Sequence, residues 1–122
     1  MVKAILALSV IVVLILSSCY YHKEDLLYPP GNCDTTNIRY STTIKTLLNN
    51  YGCLGCHIGP NPPGGINLET YANVKIVVDN GRFYGAITHA PGYRPMPDGA
   101  AKMNDCDISK IKVWIDSGAP NN

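Results

Sequence analysis

The apolar positions of this chain fall into one near-continuous block and three periodic ones. Ala4 to Leu16, "AILALSVIVVLIL", is a run of 13 residues interrupted only by Ser9. That is too short to cross a bilayer comfortably, but it matches the apolar stretch of an export signal, with Lys3 supplying the positive start. Further on, Ile44, Leu47, Leu48 and Tyr51 stand at i, i+3, i+4 and i+7. This spacing predicts a helix over about 41–51, capped by the Ser/Thr cluster ahead of it. Tyr71, Val74 and Val78 share a face and predict a second helix over about 68–79, with Asn67 as its candidate cap and Gly81 past its end. The β-branched run Ile76-Val77-Val78 favours a strand locally, but the upstream period and the Asn80-Gly81 closure favour helix. "RFYGAI", 82–87, adds a short helical turn. A third helix is predicted over about 105–117, where Ile108, Ile111 and Ile115 line one face beside Trp114. Asn104 or Asp105 caps it, and Gly118 and Pro120 stop it.

The polar stretches divide these blocks. Residues 20–37 are broken by Pro29-Pro30-Gly31 and show no sustained period, so they read as a tether, with His22 a solvated part of it. Two Pro/Gly-rich loops, 59–65 and 89–101, separate the helices. With no strand ladder and no internal repeat, the expected fold class is all-α. Three short helices bury little surface, so a further stabilising device is expected.

The apolar block ends in "LSSC", residues 16–19, which resembles a bacterial lipobox. The resemblance implies a lipoprotein signal peptide over 1–18, with Cys19 as the lipidated first residue of the mature chain. A tether and linker would follow over 19–38 and a folded domain over 39–122. An ordinary signal peptide and a short membrane anchor are the competing readings. Lys23-Glu24-Asp25 resembles the acidic sorting signals of some surface lipoproteins. Several acyl chains on one residue hold a protein stably to a membrane, at about 0.8 kcal/mol per buried CH₂. Loss of Lys3 leaves nine Lys/Arg against nine Asp/Glu. A neutral chain without a basic patch argues against nucleic acid as a partner.

The chemistry concentrates in "GCLGCH", residues 52–57. In a Cys-x-x-Cys-His unit both thiols can add to the haem vinyl groups while the next imidazole binds iron. A helical turn at 53–57 would aim Cys53 and Cys56 at the ring edge and bring His57 beneath the metal. Two other uses compete. A thioredoxin-like dithiol needs a βαβ setting, and this motif follows a helix of its own. A structural zinc needs a fourth ligand, for which Cys33, Cys106 and His89 stand at irregular spacing. Haem is the preferred reading. A six-coordinate iron needs a second axial ligand, and Met96 in "GYRPMPDG" is the candidate, since flanking prolines stiffen its loop and keep it out of a helix. Met103, as a second thioether, and His89, in a bis-histidine site, are the alternatives.

Together "TIKTLLNNYGCLGCH", "GGINLETYANV" and "YRPMPDGAAKMNDCDISKIKVWIDSGAP" resemble the bacterial monohaem c-type cytochromes in their exported lipoprotein form. The resemblance spans about residues 40–120. It implies a small cytochrome c-type fold of about three main helices around one covalent haem c. It also implies thioether bonds at Cys53 and Cys56, a proximal ligand at His57 and a distal ligand at Met96. Of the five cysteines, lipid then takes one and haem two, which leaves Cys33 and Cys106 as an even pair in an oxidising compartment. A disulfide between them is expected, although it is no standard part of that family's pattern. Tyr71, Tyr84, Tyr93 and Trp114 are candidates to line the ring, and Arg82 and Arg94 to neutralise its propionates, with Arg94 preferred.

These readings lead to a membrane-tethered carrier of single electrons between redox partner proteins, held at the periplasmic side or the cell surface and not itself an enzyme. Two other classes compete. One is a peroxidase-like haem enzyme subunit, in which His89 would act at an unligated distal site. The other is a redox- or gas-sensing haem module with an open distal position.

Overall fold

A computed structural model describes residues 33–122. The expected signal peptide, the lipidation at Cys19, the acidic triplet 23–25 and His22 lie outside the described residues. Among those described, all regular structure is helical and there is no strand. The all-α expectation therefore holds for residues 33–122.

Four α-helices organise the unit from Asp34 to Asn122: α1 at Lys45–Asn50, α2 at Tyr71–Asp79, α3 at Arg82–Ile87 and α4 at Asp105–Asp116. A π-helical turn, Tyr40–Ile44, leads directly into α1. No side chain of the Ser/Thr cluster caps this segment. The carbonyl of Asn122 accepts from the Ser41 amide at 2.8 Å, and the Asn122 side chain accepts from the Tyr40 amide at 2.8 Å. Orphan amides at a helix start take whatever acceptor tertiary structure delivers, and here that is the far end of the chain.

The second helix begins at Tyr71, later than its hydrophobic period predicts. Thr70 caps it, its hydroxyl accepting from the Asn73 amide at 3.3 Å. Asn67 is used instead in the preceding loop, where it accepts from the Glu69 amide and donates to the Gly59 carbonyl. Val74, Val77 and Val78 are buried while Ile76 is 62% exposed. The β-branched run thus splits between two faces, as a 3.6-residue period requires. The last helix matches its prediction closely. Asn104 caps it by accepting from the Asp107 amide at 2.8 Å, with Asp105 and Asp107 in its first turn, where the helix dipole favours negative charge. Its buried residues are Ile108, Ile111 and Trp114, and Ile115 is only partly covered.

Trp114 is fully buried and anchors the core. Tyr40 stacks on it at 5.8 Å and meets Tyr71 edge-on at 5.0 Å. The tail closes over this group: Trp114 Nε1 donates to the Pro120 carbonyl at 3.0 Å, and the Tyr71 hydroxyl donates to the Ala119 carbonyl at 2.8 Å. Each buried ring thereby pairs its polar atom and keeps its apolar contact.

A polar clamp joins the end of α1 to the start of α4. The Tyr51 hydroxyl donates to Asp107 at 2.9 Å and accepts from the Asn104 amide and side chain at 3.2 and 2.9 Å. Cys33 and Cys106 are disulfide-bonded, as the cysteine tally predicts. Closing a loop of this length restricts the unfolded chain and stabilises by about 4 kcal/mol in the chain-entropy picture.

Candidate functional site

Beyond Tyr51 the chain must turn sharply, and Gly52 does so at φ 69°, in the left-handed region. A Cβ there costs roughly 1–2 kcal/mol, which explains the glycine. A 3₁₀ turn over Cys53–Gly55 follows. The Cys53 carbonyl accepts from the Cys56 amide at 3.3 Å and from the His57 amide at 2.9 Å. This one carbonyl gathers the motif, and Cys53, Cys56 and His57 all line the same cavity of about 300 Å³. That is the lower end of the volumes typical of ligand sites. Cys53 and Cys56 form no disulfide. Cys56 is exposed, while burial pushes the Cys53 thiol pKa up.

His57 is 9% exposed and held at both ends by the segment after the Pro/Gly loop. Its carbonyl accepts from the Leu68 amide at 2.7 Å, and its Nδ1 lies 2.9 Å from the Ile66 carbonyl. A carbonyl only accepts, so Nδ1 carries the proton and donates. In the neutral imidazole this tautomer leaves Nε2 as the nitrogen with a lone pair to offer a metal. A carbonyl partner on the second nitrogen is the usual means of orienting such a ligand.

Met96 lines the same cavity and is partly buried. Its amide donates to the Ala86 carbonyl at 3.0 Å, and its own carbonyl accepts from His89 Nε2 at 3.1 Å. The two alternatives to Met96 sit elsewhere. Met103 is 3% exposed within the core, and His89, absent from the lining, spends Nε2 on the Met96 carbonyl.

The remaining candidates are partly reassigned. Of the four aromatics, only Tyr93 lines the cavity. Trp114 and Tyr71 belong to the aromatic group of the core described above, and Tyr84 packs beneath the Lys112 ammonium at 6.0 Å. Tyr93 reaches its place across Gly85, where an added Cβ would lie 2.5 Å from the ring. Tyr51 and Phe83 also line the cavity, and the sequence reading did not place them there. For Tyr51 the signal was present, since it ends the apolar period one residue before the motif. Both arginines border the cavity, yet Arg94 pairs with Asp98 at 2.9 Å, whereas the Arg82 guanidinium makes no ion pair among the described residues. Of the two, Arg82 is thus the one without an acidic partner among the described residues, whereas the sequence favours Arg94 for the propionates.

The lining combines two thiols, an imidazole, a thioether, apolar walls from Val77, Phe83 and Ile87, and the guanidinium of Arg82, which has no ion-pair partner among the described residues. This donor set fits a covalently attached haem. It fits zinc poorly: no three His, Cys, Asp or Glu side chains converge among the described residues, and Cys33 and Cys106 are consumed by the disulfide. The βαβ setting of a thioredoxin-like dithiol is likewise missing from the described residues. No family model, curated protein or solved structure matches the chain.

Proposed function

We propose that the protein is a monohaem c-type cytochrome that carries single electrons between redox partner proteins. The fold is then a small cytochrome c-type fold, its helices wrapped around one haem c. Cys53 and Cys56 supply the thioether bonds, His57 Nε2 the proximal ligand and the Met96 thioether the distal one. Iron held this way would supply a one-electron Fe(II)/Fe(III) couple at relatively high potential.

The observation that carries the reading is the state of His57. Its Nδ1–H is committed to the Ile66 carbonyl, so Nε2 is the nitrogen left to serve as a ligand, on a ring that shares one lining with both thiols and Met96. The other residues have supporting tasks. Val77, Phe83 and Ile87 exclude water from the cavity, and Arg82 offers its charge to the propionates. Held from both sides through its backbone, Met96 keeps a fixed place, which suits a carrier in which little should rearrange with redox state.

The lipobox resemblance adds the setting. The chain is exported, loses residues 1–18 and is anchored through lipid on Cys19, at the periplasmic side or the cell surface. With formally balanced side-chain charge, long-range steering of partners is modest, and tethering raises their local concentration instead.

Visible spectra of the oxidised and reduced full-length protein test this reading. Low-spin spectra in both states, with a methionine-to-iron charge-transfer band when oxidised and no response to CO, are expected. A high-spin spectrum that shifts on adding CO would replace the carrier by a haem enzyme or sensor with an open distal site.

A further inference from the structure

His89 stands where a glycine is expected. Helix α3 ends in a Schellman arrangement: the Ala90 amide donates to the Gly85 carbonyl at 2.9 Å and the His89 amide to the Ala86 carbonyl at 3.2 Å. The residue between Thr88 and Ala90 must then take the left-handed conformation, and His89 does so at φ 54°. Glycine fills this position most often because it bears no Cβ. A histidine pays a conformational cost that a backbone turn alone does not explain, and such outliers point to a use for the side chain.

That use is visible one loop later. His89 Nε2 lies 3.1 Å from the Met96 carbonyl, and since the carbonyl only accepts, Nε2 carries the proton and donates. The Ala86 carbonyl accepts from the His89 amide and also from the Met96 amide, at 3.0 Å. The two polar groups of the Met96 backbone are thus tied to one helix end, its amide directly and its carbonyl through the His89 ring. Tyr93 and Pro95, between them, are exposed. Nothing else hydrogen-bonded to Met96 among the described residues holds its backbone.

We infer that His89 is a positioning residue for the distal ligand: its Nε2–H holds the Met96 carbonyl and so fixes where the thioether stands in the cavity. The inference rests on the haem reading for the meaning of that position, but not for the hydrogen bond itself. His89 acts without touching the iron, through the backbone of the residue that does.

Two substitutions separate this role from a structural one. His89→Asn tolerates the left-handed turn but is too short to reach the carbonyl. His89→Gln places an amide donor at nearly the reach of Nε2. In the full-length holoprotein, imidazole added as a competing ligand should displace Met96 at about tenfold lower concentration in His89→Asn than in wild type, the factor one lost hydrogen bond accounts for. His89→Gln should return to within about twofold of wild type by the same hydrogen-bond arithmetic. In the same proteins, hydrogen exchange of the Met96 amide should be about tenfold faster in His89→Asn and restored in His89→Gln. An Asn variant indistinguishable from wild type in both readouts overturns the inference, as does a Gln variant as loose as the Asn one. If wild type shows no methionine ligation, the distal-ligand reading fails, and the exchange rates still decide whether His89 holds the loop.

Discussion

The cavity is lined by two groups of residues built on different principles. Cys53, Cys56 and His57 lie within five positions and are brought together by local structure: a glycine turn, a short helical turn and the single Cys53 carbonyl. Met96 arrives by tertiary structure, tied to the end of α3 through Ala86 and His89. Local closure gathers the first group, and outside it only the nearby segment 66–68 is hydrogen-bonded to His57 among the described residues. The second depends on the fit between one loop and one helix end, so it should yield first when the protein is perturbed. That contrast suits the proposed role, in which the covalent side must never release the cofactor while the distal side sets its reactivity.

Substitutions break the comparison in graded steps. The double change Cys53→Ser with Cys56→Ser should abolish covalent haem entirely, read as haem lost from the denatured polypeptide. Met96→Ala should keep covalent haem but open the distal position, converting the reduced protein to a CO-binding form. If Met96→Ala leaves the low-spin spectrum intact, the distal assignment is wrong. Gly85→Ala places a methyl against the Tyr93 ring, 2.5 Å away in the present geometry. Overpacking of this kind destabilises by about 1–3 kcal/mol, measured by denaturant unfolding, and an unchanged midpoint would show that the Tyr93 loop moves aside freely. The smallest effect concerns the local group alone. In haem-free protein, iodoacetamide should modify Cys56 roughly several-fold faster than Cys53, because only the thiolate reacts. Burial raises the Cys53 pKa and so lowers its thiolate fraction at any given pH below it, while Cys56 is exposed. Equal rates would mean that Cys53 is not sheltered.

The same division explains what was legible in the sequence. Helix α4 was readable to within a residue, because its cap, its apolar period and its stop signals are all local. The Cys-x-x-Cys-His unit is legible for the same reason. The start of α2 was misplaced because Asn67, a good cap by type, spends its Oδ1 on the Glu69 amide and the Asn73 side chain and its Nδ2 on the Gly59 carbonyl, contacts that the sequence does not display. Nor could composition show that the first helical segment is closed by Asn122.

The aromatic residues mark the limit more sharply. Trp114, Tyr71, Tyr84 and Tyr93 were equal candidates for the cavity, but a helical period says only that a residue faces inward. Which neighbour it faces is set by packing, and three of the four turned away from the cavity. The arginines follow the same logic. Arg94 stands nearest Met96 in sequence, yet Asp98, four residues on, occupies its guanidinium. The Ile66 carbonyl on His57 left no sequence signal, because every residue carries a carbonyl.

Intact mass of the purified, denatured and non-reduced full-length protein tests the central claim most directly. The account predicts a mature polypeptide from Cys19 that is heavier by one haem as well as by its lipid, with no alkylatable thiol at Cys53 or Cys56. A polypeptide at its unmodified mass there, with both thiols free after expression alongside a haem-attachment system, would contradict it.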